Sequence, residues 1–179
     1  MRRFRLARLA LVAALVVPPI AAAQTAAPVT VFIVRHAEKG PETPDPSLTR
    51  EGRARAEALA TMLRDARITT ILVSQFKRTQ ETALPLAREI HLAPEPMDAA
   101  RVDDLVARLK GLAPGSRALV VTHSNLVPAI VEKLTGQTVT ELTDADYDRL
   151  YIATLSPSGN DVLYLHFGAP SAATGGPMR

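Results

Sequence analysis

The stretch Val29–Lys39, VTVFIVRHAEK, decides how the rest of the chain is interpreted. Six β-prone residues end in an arginine and a histidine, and a loop rich in proline follows them. An apolar run of this kind is typical of a strand that is covered on both faces. Such a strand would carry a fixed cation and an imidazole at its carboxyl end. The Arg-His pair alone is a weak signal, so its meaning depends on what later strands bring to the same place.

The first 23 residues have the layout of a secretory signal peptide. Four arginines and no acid in the first eight residues precede an apolar run over residues 9–17, and three alanines at 21–23 follow a proline pair. This pattern predicts a signal peptide over residues 1–23, cleaved after Ala23, and export to the periplasm or the outside of the cell. An uncleaved membrane anchor is the alternative, although the run is shorter than the ~20 residues that span a bilayer.

Composition limits the classes of function. With 179 residues, the chain is long enough for one domain with a substantial core. Removing the leader takes away four of the 21 Lys and Arg and none of the 18 Asp and Glu, which leaves a net charge of −1. Aromatic residues make up 4% of the chain, so we expect no nucleic-acid partner. The sequence contains no cysteine, which excludes disulfides, thiolate catalysis and cysteine-based metal sites.

Beyond the leader, the pattern predicts a flexible lead-in over residues 24–28, one domain over residues 29–168 and a disordered tail over residues 169–179. Within the domain, strands are expected at 29–34, 69–74 and 118–122, and helices at 50–65, 79–90, 102–112 and from about 125 to 134. Thr49 is the expected N-cap of the first helix, and Ser124 or Asn125 that of the last. Residues 91–97 are expected to form a loop, and residues 150–155 and 162–167 a β-hairpin.

Strands that alternate with helices predict a three-layer α/β/α sandwich around a mostly parallel, mixed sheet. In such sheets, ligands bind beyond the carboxyl ends of the strands. Three predicted strands end there in polar residues: first Arg35 and His36, then the segment 74–78, then the segment 123–125. This convergence is the main functional signal in the sequence.

Two arginines and two histidines at one sheet edge suit a phosphoryl group. Guanidinium groups match its oxygens in bidentate geometry and stay charged, so Arg35 and Arg78 are candidate phosphate ligands. A neutral imidazole can attack phosphorus and hold the group covalently, which makes His36 a candidate nucleophile. Neighbouring arginines favour the neutral form of that imidazole. His123 would then stabilise charge on the phosphoryl oxygens.

At this point the chain resembles the histidine phosphatase superfamily, whose members are also called phosphoglycerate-mutase-like. Four segments carry the resemblance: Arg35–Glu38 (RHAE), the stretch 45–59 containing LTREG, the segment Ser74–Ala83 (SQFKRTQETA), and Leu119–His123 (LVVTH). The resemblance covers about residues 29–134 and implies the phosphoglycerate-mutase-like fold. It also implies a metal-independent phosphatase that needs no cofactor.

Carried over by position, the resemblance implies that His36 becomes phosphohistidine and that Arg35, Arg78 and His123 form the phosphate pocket. Ser124 or Asn125 would add a substrate contact. The segment 75–77 (QFK) departs from the connector usual in the family, which leaves the substrate contacts there open.

The proton donor that the family uses has no obvious counterpart here. The candidates are four acidic residues, with Asp103 preferred for its spacing between Arg78 and His123: Glu81, Asp98, Asp103 and Asp104. Some short members lack this acid and act on better leaving groups, such as phosphoramidates.

Other polar residues have simpler interpretations. Glu38 and Lys39 are expected to be a solvated loop pair. His91 and His166 are expected to be structural, and the four histidines show no metal-ligand spacing, so no metal is expected. The acidic segment 141–148 is expected to be a solvated loop, with a rim lining the site as the alternative.

The expected function is hydrolysis of phosphomonoesters or phosphoramidates through phosphohistidine on His36. The substrate would be a phosphorylated small molecule or a phosphoprotein, since the short spans between motifs leave no room for a large cap domain. The alternatives are a non-catalytic phosphate-binding or interaction domain of the same fold, and a phosphoglycerate-mutase-type phosphotransferase. No membrane span is expected in the mature form.

Overall fold

The computed structural model describes residues 26–171. They form one mixed sheet with helices on both of its faces. In chain order the elements are β1 (Val29–Arg35), α1 (Arg50–Leu63), β2 (Thr70–Ser74), α2 (Lys77–Glu89), β3 (Glu95–Met97), α3 (Val102–Lys110), β4 (Arg117–Thr122), α4 (Val127–Thr135), β5 (Arg149–Leu155) and β6 (Asp161–His166). The predicted signal peptide lies outside the described residues.

The six strands are arranged in the order β3-β2-β4-β1-β5-β6. β1 pairs in parallel with β4, and β2 pairs in parallel with both β4 and β3. β5 and β6 are antiparallel, and β5 also runs antiparallel to β1. The predicted hairpin and the mixed, mostly parallel sheet are therefore confirmed.

Alternation along the central strands sends side chains into two separate cores. On β1, the valines at 29 and 31 and Ile33 pack with apolar side chains of α3 and α4. Phe32 and Val34 point the other way, toward α1 and α2. A strand that is buried on both faces is apolar at nearly every position, which explains the almost continuous apolar run that begins the domain. The predicted three-layer sandwich is confirmed.

Several element boundaries differ from the expectation. Residues 91–97, predicted as loop, contain the short strand β3, where Pro96 is tolerated because β3 is an edge strand. Neither Ser124 nor Asn125 caps the last helix. Its N-cap is Leu126, which makes no capping hydrogen bond through its side chain. Pro128 lies in the first turn of α4, the place in a helix where its missing N–H costs least. Thr49 does cap α1, because its hydroxyl accepts a hydrogen bond from Gly52 N.

The carboxyl-terminal edge differs from the centre of the sheet. β6 leaves Leu163, Tyr164 and Leu165 exposed. Beyond it, Ala169 O accepts a hydrogen bond from Arg55, and Ser171 Oγ donates one to Asp148. Residues 169–171 are thus tied to the domain, while residues 172–179 of the predicted tail lie outside the described part. Among residues 26–171, no helix has the length and apolar character needed to cross a bilayer.

Candidate active site

The pairing of β1 with β4 brings the two candidate histidines together. Arg35 is opposite Thr122 in the parallel register, and His36 N donates a hydrogen bond to Thr122 O at 2.8 Å. His36 and His123 therefore follow directly after the paired carboxyl ends of the adjacent strands β1 and β4. Their ring centroids are 5.5 Å apart. β2 on the other side of β4 adds Ser74, which contacts His123, and the following helix adds Arg78.

His36 is held as a neutral imidazole with one free nitrogen. Its Nδ1 lies 2.8 Å from Ala37 O, and since a carbonyl can only accept, Nδ1 carries the proton. Nε2 is then unprotonated and available to a substrate. Burial lowers the pKa of His36 to about 3 against the opposing effect of the Ala37 hydrogen bond, and the charges of Arg35 and Arg78 lower it further. At neutral pH this nitrogen therefore carries a free lone pair.

His123 has the opposite tautomer. Its Nδ1 faces Arg78 Nη2 at 3.5 Å, and since a guanidinium can only donate, this nitrogen is the acceptor. Nε2–H then donates to Ser74 Oγ at 3.0 Å. Ser74 is in turn 2.9 Å from Thr79 Oγ1, which donates to Phe76 O at 2.8 Å. Burial lowers the pKa of His123 to about 4, with Arg78 and Arg35 acting in the same direction. Ser74 thus fixes which nitrogen of His123 carries the proton.

Arg35 is held by the segment 143–147, which precedes β5. Its Nη1 donates to Thr143 O at 2.8 Å and to Asp146 O at 3.3 Å. Its guanidinium carbon lies 4.1 Å from the centre of the Tyr147 ring. Its Nη2 lies 3.4 Å from Oδ1 of Asp144, whose side chain is fully exposed. The interpretation of the acidic segment as a solvated loop is therefore wrong here, because its backbone carbonyls turn inward to Arg35. The segment forms a rim of the site.

Arg78 comes from the first turn of α2 and is held by a different set of groups. Its Nη1 is 3.6 Å from Asp45 Oδ1, and its guanidinium carbon lies 4.3 Å from the centre of the Phe76 ring. Asp45 also accepts a hydrogen bond from Lys77 N at 3.1 Å, so it joins the loop after β1 to the start of α2. The sequence did not single out Asp45 or Tyr147 as site residues.

Two arginine side chains of the site have buried N–H groups without a hydrogen-bond acceptor. Within residues 26–171, the buried side-chain nitrogens with no hydrogen-bond partner are Arg35 Nε and Arg78 Nε. A buried donor without an acceptor costs about 1–3 kcal/mol. Both of these belong to the two arginines beside the imidazoles, so the pocket is suited to an anion.

Comparison with known proteins agrees with this geometry. The sequence profile of the histidine phosphatase superfamily (branch 1) matches residues 31–99. The resemblance to this superfamily is thereby confirmed over the matched segment. No curated protein matches the sequence.

Solved structures of the superfamily share the fold. The protein histidine phosphatase SixA complexed with tungstate is 24% identical, with a TM-score of 0.62 over 76% of this chain and 96% of that one. A putative alpha-ribazole-5'-P phosphatase from Escherichia coli K-12 is 15% identical, with a TM-score of 0.65 over 77% and 96%. A phosphoglycerate mutase from Bacillus anthracis is 14% identical, with a TM-score of 0.62 over 79% and 94%. The phosphoglycerate-mutase-like fold is thereby confirmed.

Not all of the predicted site residues lie close to the two imidazoles. Asp103 is on α3, where its carboxylate pairs with Lys133 Nζ at 2.8 Å and remains 85% exposed. Ser124 and Asn125 lie in the turn after His123 and line a surface cleft with Pro128 and Glu132. Within the described residues, neither hydrogen-bonds to an imidazole or guanidinium of the site. Spacing along the chain suggested Asp103, but α3 directs it to solvent.

The other candidate acids are engaged elsewhere too. Glu81 accepts a hydrogen bond from Leu48 N at 2.7 Å and fixes the loop before α1. Asp104 pairs with Arg101, and Asp98 accepts from Ala100 N at 2.9 Å in the turn before α3. Among residues 26–171, no carboxylate forms a hydrogen bond with His36 or His123.

A partly buried ion pair supports the site from behind. Glu38 accepts hydrogen bonds from Arg55 Nε at 3.0 Å and Nη2 at 2.7 Å, and Arg55 Nη1 donates to Phe167 O and Ala169 O. The expectation that Glu38 is solvated is wrong, because its carboxylate is paired with the buried Arg55 guanidinium. Gly52 permits this approach, since a Cβ there would overlap the Glu38 carbonyl oxygen. Lys39 is exposed, as expected.

Proposed function

We propose that the protein is a phosphatase that transfers the phosphoryl group of its substrate to His36 and then to water. The observation that carries this proposal is the free Nε2 of a neutral, buried His36 beside two guanidinium groups with unused buried donors. The histidine phosphatase superfamily, whose model matches residues 31–99, is similar in using a histidine to accept the phosphoryl group.

The first step forms a bond between His36 Nε2 and phosphorus while the bond from phosphorus to the leaving group breaks. Arg35 and Arg78 direct their guanidinium groups to the phosphoryl oxygens, where the two charges stabilise the transition state. His123 accepts from Arg78 through Nδ1 and so positions that guanidinium at the phosphate pocket. The leaving group keeps the electron pair and takes its proton from solvent. In the second step, water attacks the phosphohistidine, and His36 returns to its neutral form as phosphate leaves.

Two substrate classes fit this scheme, phosphomonoesters and phosphoramidates. The absence of a carboxylate bonded to the described imidazoles favours substrates whose leaving group needs little protonation. SixA, one of the structural neighbours, is described as a protein histidine phosphatase, so a phosphorylated protein is among the substrates to test.

The absence of such an acid also motivates the second candidate, a phosphate-binding domain without turnover. Both candidates use the same pocket, and they differ in whether His36 becomes phosphorylated.

Rapid-quench labelling separates these candidates. The protein is mixed with a ³²P-labelled phosphate ester, stopped in base and assayed for acid-labile label on His36. We expect label on the wild type and on His91→Asn, a control at an exposed histidine, and neither label nor hydrolysis with His36→Ala. Equal hydrolysis by His36→Ala and wild type would refute the phosphatase proposal. Tight binding of phosphate without any label would support the binding domain.

We further propose that the protein is exported and cleaved after Ala23. Sequencing the amino terminus of the protein recovered from its native host tests this, since cleavage predicts a chain that starts at Gln24.

A further inference from the structure

We propose that Phe76 and Tyr147 act as two aromatic walls that select substrates with a flat, aromatic or heteroaromatic leaving group. This inference rests on the proposed phosphatase function and assigns the substrate class of the same site.

The placement of aromatic residues is the first observation. Residues 26–171 contain three Phe and three Tyr, and two of these six lie at the site, one on each arginine. Phe76 is in the connector between β2 and α2, and Tyr147 is in the segment before β5. Each ring has a guanidinium carbon 4.1–4.3 Å from its centre.

Each of the two rings is a close neighbour of one imidazole. Tyr147 is 6.3 Å from His36, His36 is 5.5 Å from His123, and His123 is 5.4 Å from Phe76, measured between ring centroids. The nucleophile therefore has Tyr147 beside it, and the second imidazole has Phe76 beside it. Both aromatic side chains are partly exposed, so a flat group attached to the phosphoryl group can contact either of them.

The second observation concerns the leaving group. Among residues 26–171, no carboxylate hydrogen-bonds to the imidazoles, and His123 donates its proton to Ser74 rather than toward the phosphoryl site. A leaving group that departs as a weak base suits this arrangement best, because it needs little protonation. Aryl oxides and imidazoles meet this requirement better than alkoxides do, and they are also flat. Two independent features thus point to one chemical class.

A simpler role for the two rings is to hold Arg35 and Arg78 in place through cation–π contacts. The two roles predict different kinetics. Loss of an arginine-positioning contact slows all substrates alike, because every substrate carries the same phosphoryl group. Loss of a leaving-group contact slows flat substrates only.

The test compares two substrates with leaving groups of similar acidity but different shape: 4-chlorophenyl phosphate and hexafluoroisopropyl phosphate. We measure kcat/KM for the full chain and for Phe76→Leu, Tyr147→Leu and the double variant. The ratio of the aryl to the alkyl value should fall about threefold to tenfold for each substitution, the range expected for one aromatic contact. Phe76→Tyr and Tyr147→Phe keep a ring and should retain the wild-type ratio.

An unchanged ratio in Tyr147→Leu and Phe76→Leu would overturn the inference while leaving the phosphatase function intact. Thermal unfolding identifies a variant that does not fold, and the other position then decides, since the two residues lie on separate segments. The absence of turnover on both substrates, with no label on His36 in wild type, would instead overturn the proposed function and this inference with it.

Discussion

Two arginines of this protein are almost equally buried but differ in how their charges are matched. Arg35 is 3% exposed and Arg55 is 5% exposed. Each nitrogen of the Arg55 guanidinium has an acceptor, and the Glu38 carboxylate balances its charge. Arg35 donates mainly to backbone carbonyls, its nearest carboxylate is fully exposed, and its Nε has no acceptor.

The difference shows that burial alone does not mark a functional charge. A buried charge that is matched contributes to the structure, whereas a buried charge that is left unmatched is available to a ligand. We therefore expect substitutions at the two arginines to separate stability from activity.

The largest effect is expected for Arg55→Met. This change leaves the Glu38 carboxylate without its partner, and breaking a buried ion pair costs about 3–5 kcal/mol. Urea unfolding measures the loss of unfolding free energy. Arg50→Met, on the exposed side of the same helix, is the control and should change stability by less than about 0.5 kcal/mol. A loss below about 1 kcal/mol in Arg55→Met would show that the ion pair is not structural.

Arg35→Met should have the reverse profile. We expect kcat/KM to fall about 10²- to 10³-fold, the usual effect of removing one group that stabilises transition-state charge. The unfolding free energy should change by less than about 1 kcal/mol, because the lost contacts are offset by the removal of an unmatched buried charge. Steady-state kinetics and urea unfolding on the same sample check both statements. A stability loss as large as that of Arg55→Met would remove the contrast between the two residues.

Lowering the pH tests the contribution of His36 to stability, because the arginines stay charged while His36 takes up a proton. The pKa of His36 is lowered from 6.5 to about 3 by burial, so between these pH values the unfolded chain binds more protons than the folded one. Stability is therefore complete above pH 6.5 and decreases as the pH falls toward 3. With about 1.4 kcal/mol per pKa unit, wild type should lose at least about 2 kcal/mol more than His36→Gln between pH 7 and pH 4. Parallel stability curves for the two proteins would contradict this.

The smallest effect is expected for Ser74→Ala. This change removes the acceptor of His123 Nε2–H, so the tautomer that turns Nδ1 toward Arg78 is no longer fixed. We expect a loss of about tenfold in kcat/KM, which corresponds to one hydrogen bond, and a loss of about 1 kcal/mol of unfolding free energy because His123 Nε2–H loses its acceptor. Ser158→Ala, in the exposed hairpin turn, is the matched control. A loss as large as that of Arg35→Met would mean that Ser74 acts on the substrate directly.

The fold and the core of the candidate site could be predicted because both follow from local patterns. Apolar runs predict buried strands, and parallel strands bring their carboxyl ends together, which places Arg35, His36 and His123 side by side.

The contacts that were missed connect distant parts of the chain. Tyr147 and Arg35 are separated by 112 positions and Arg55 and Glu38 by 17, and no periodicity encodes such pairs. Asp103 shows the converse error: its distance along the chain suited a proton donor, but the direction of its side chain on α3 depends on packing.

The hydrogen bond from His36 N to Thr122 O has a further consequence. The spacing between the two histidines is set by the spacing between neighbouring strands, which the whole sheet maintains. The groups that surround the substrate come instead from three connecting segments: the loop with Asp45, the connector with Phe76 and the segment with Tyr147. Specificity can thus be redesigned by exchanging these loops while the reacting geometry stays on the rigid sheet. For protein engineering, this chain is a small scaffold in which reaction and recognition are encoded in separate parts of the sequence.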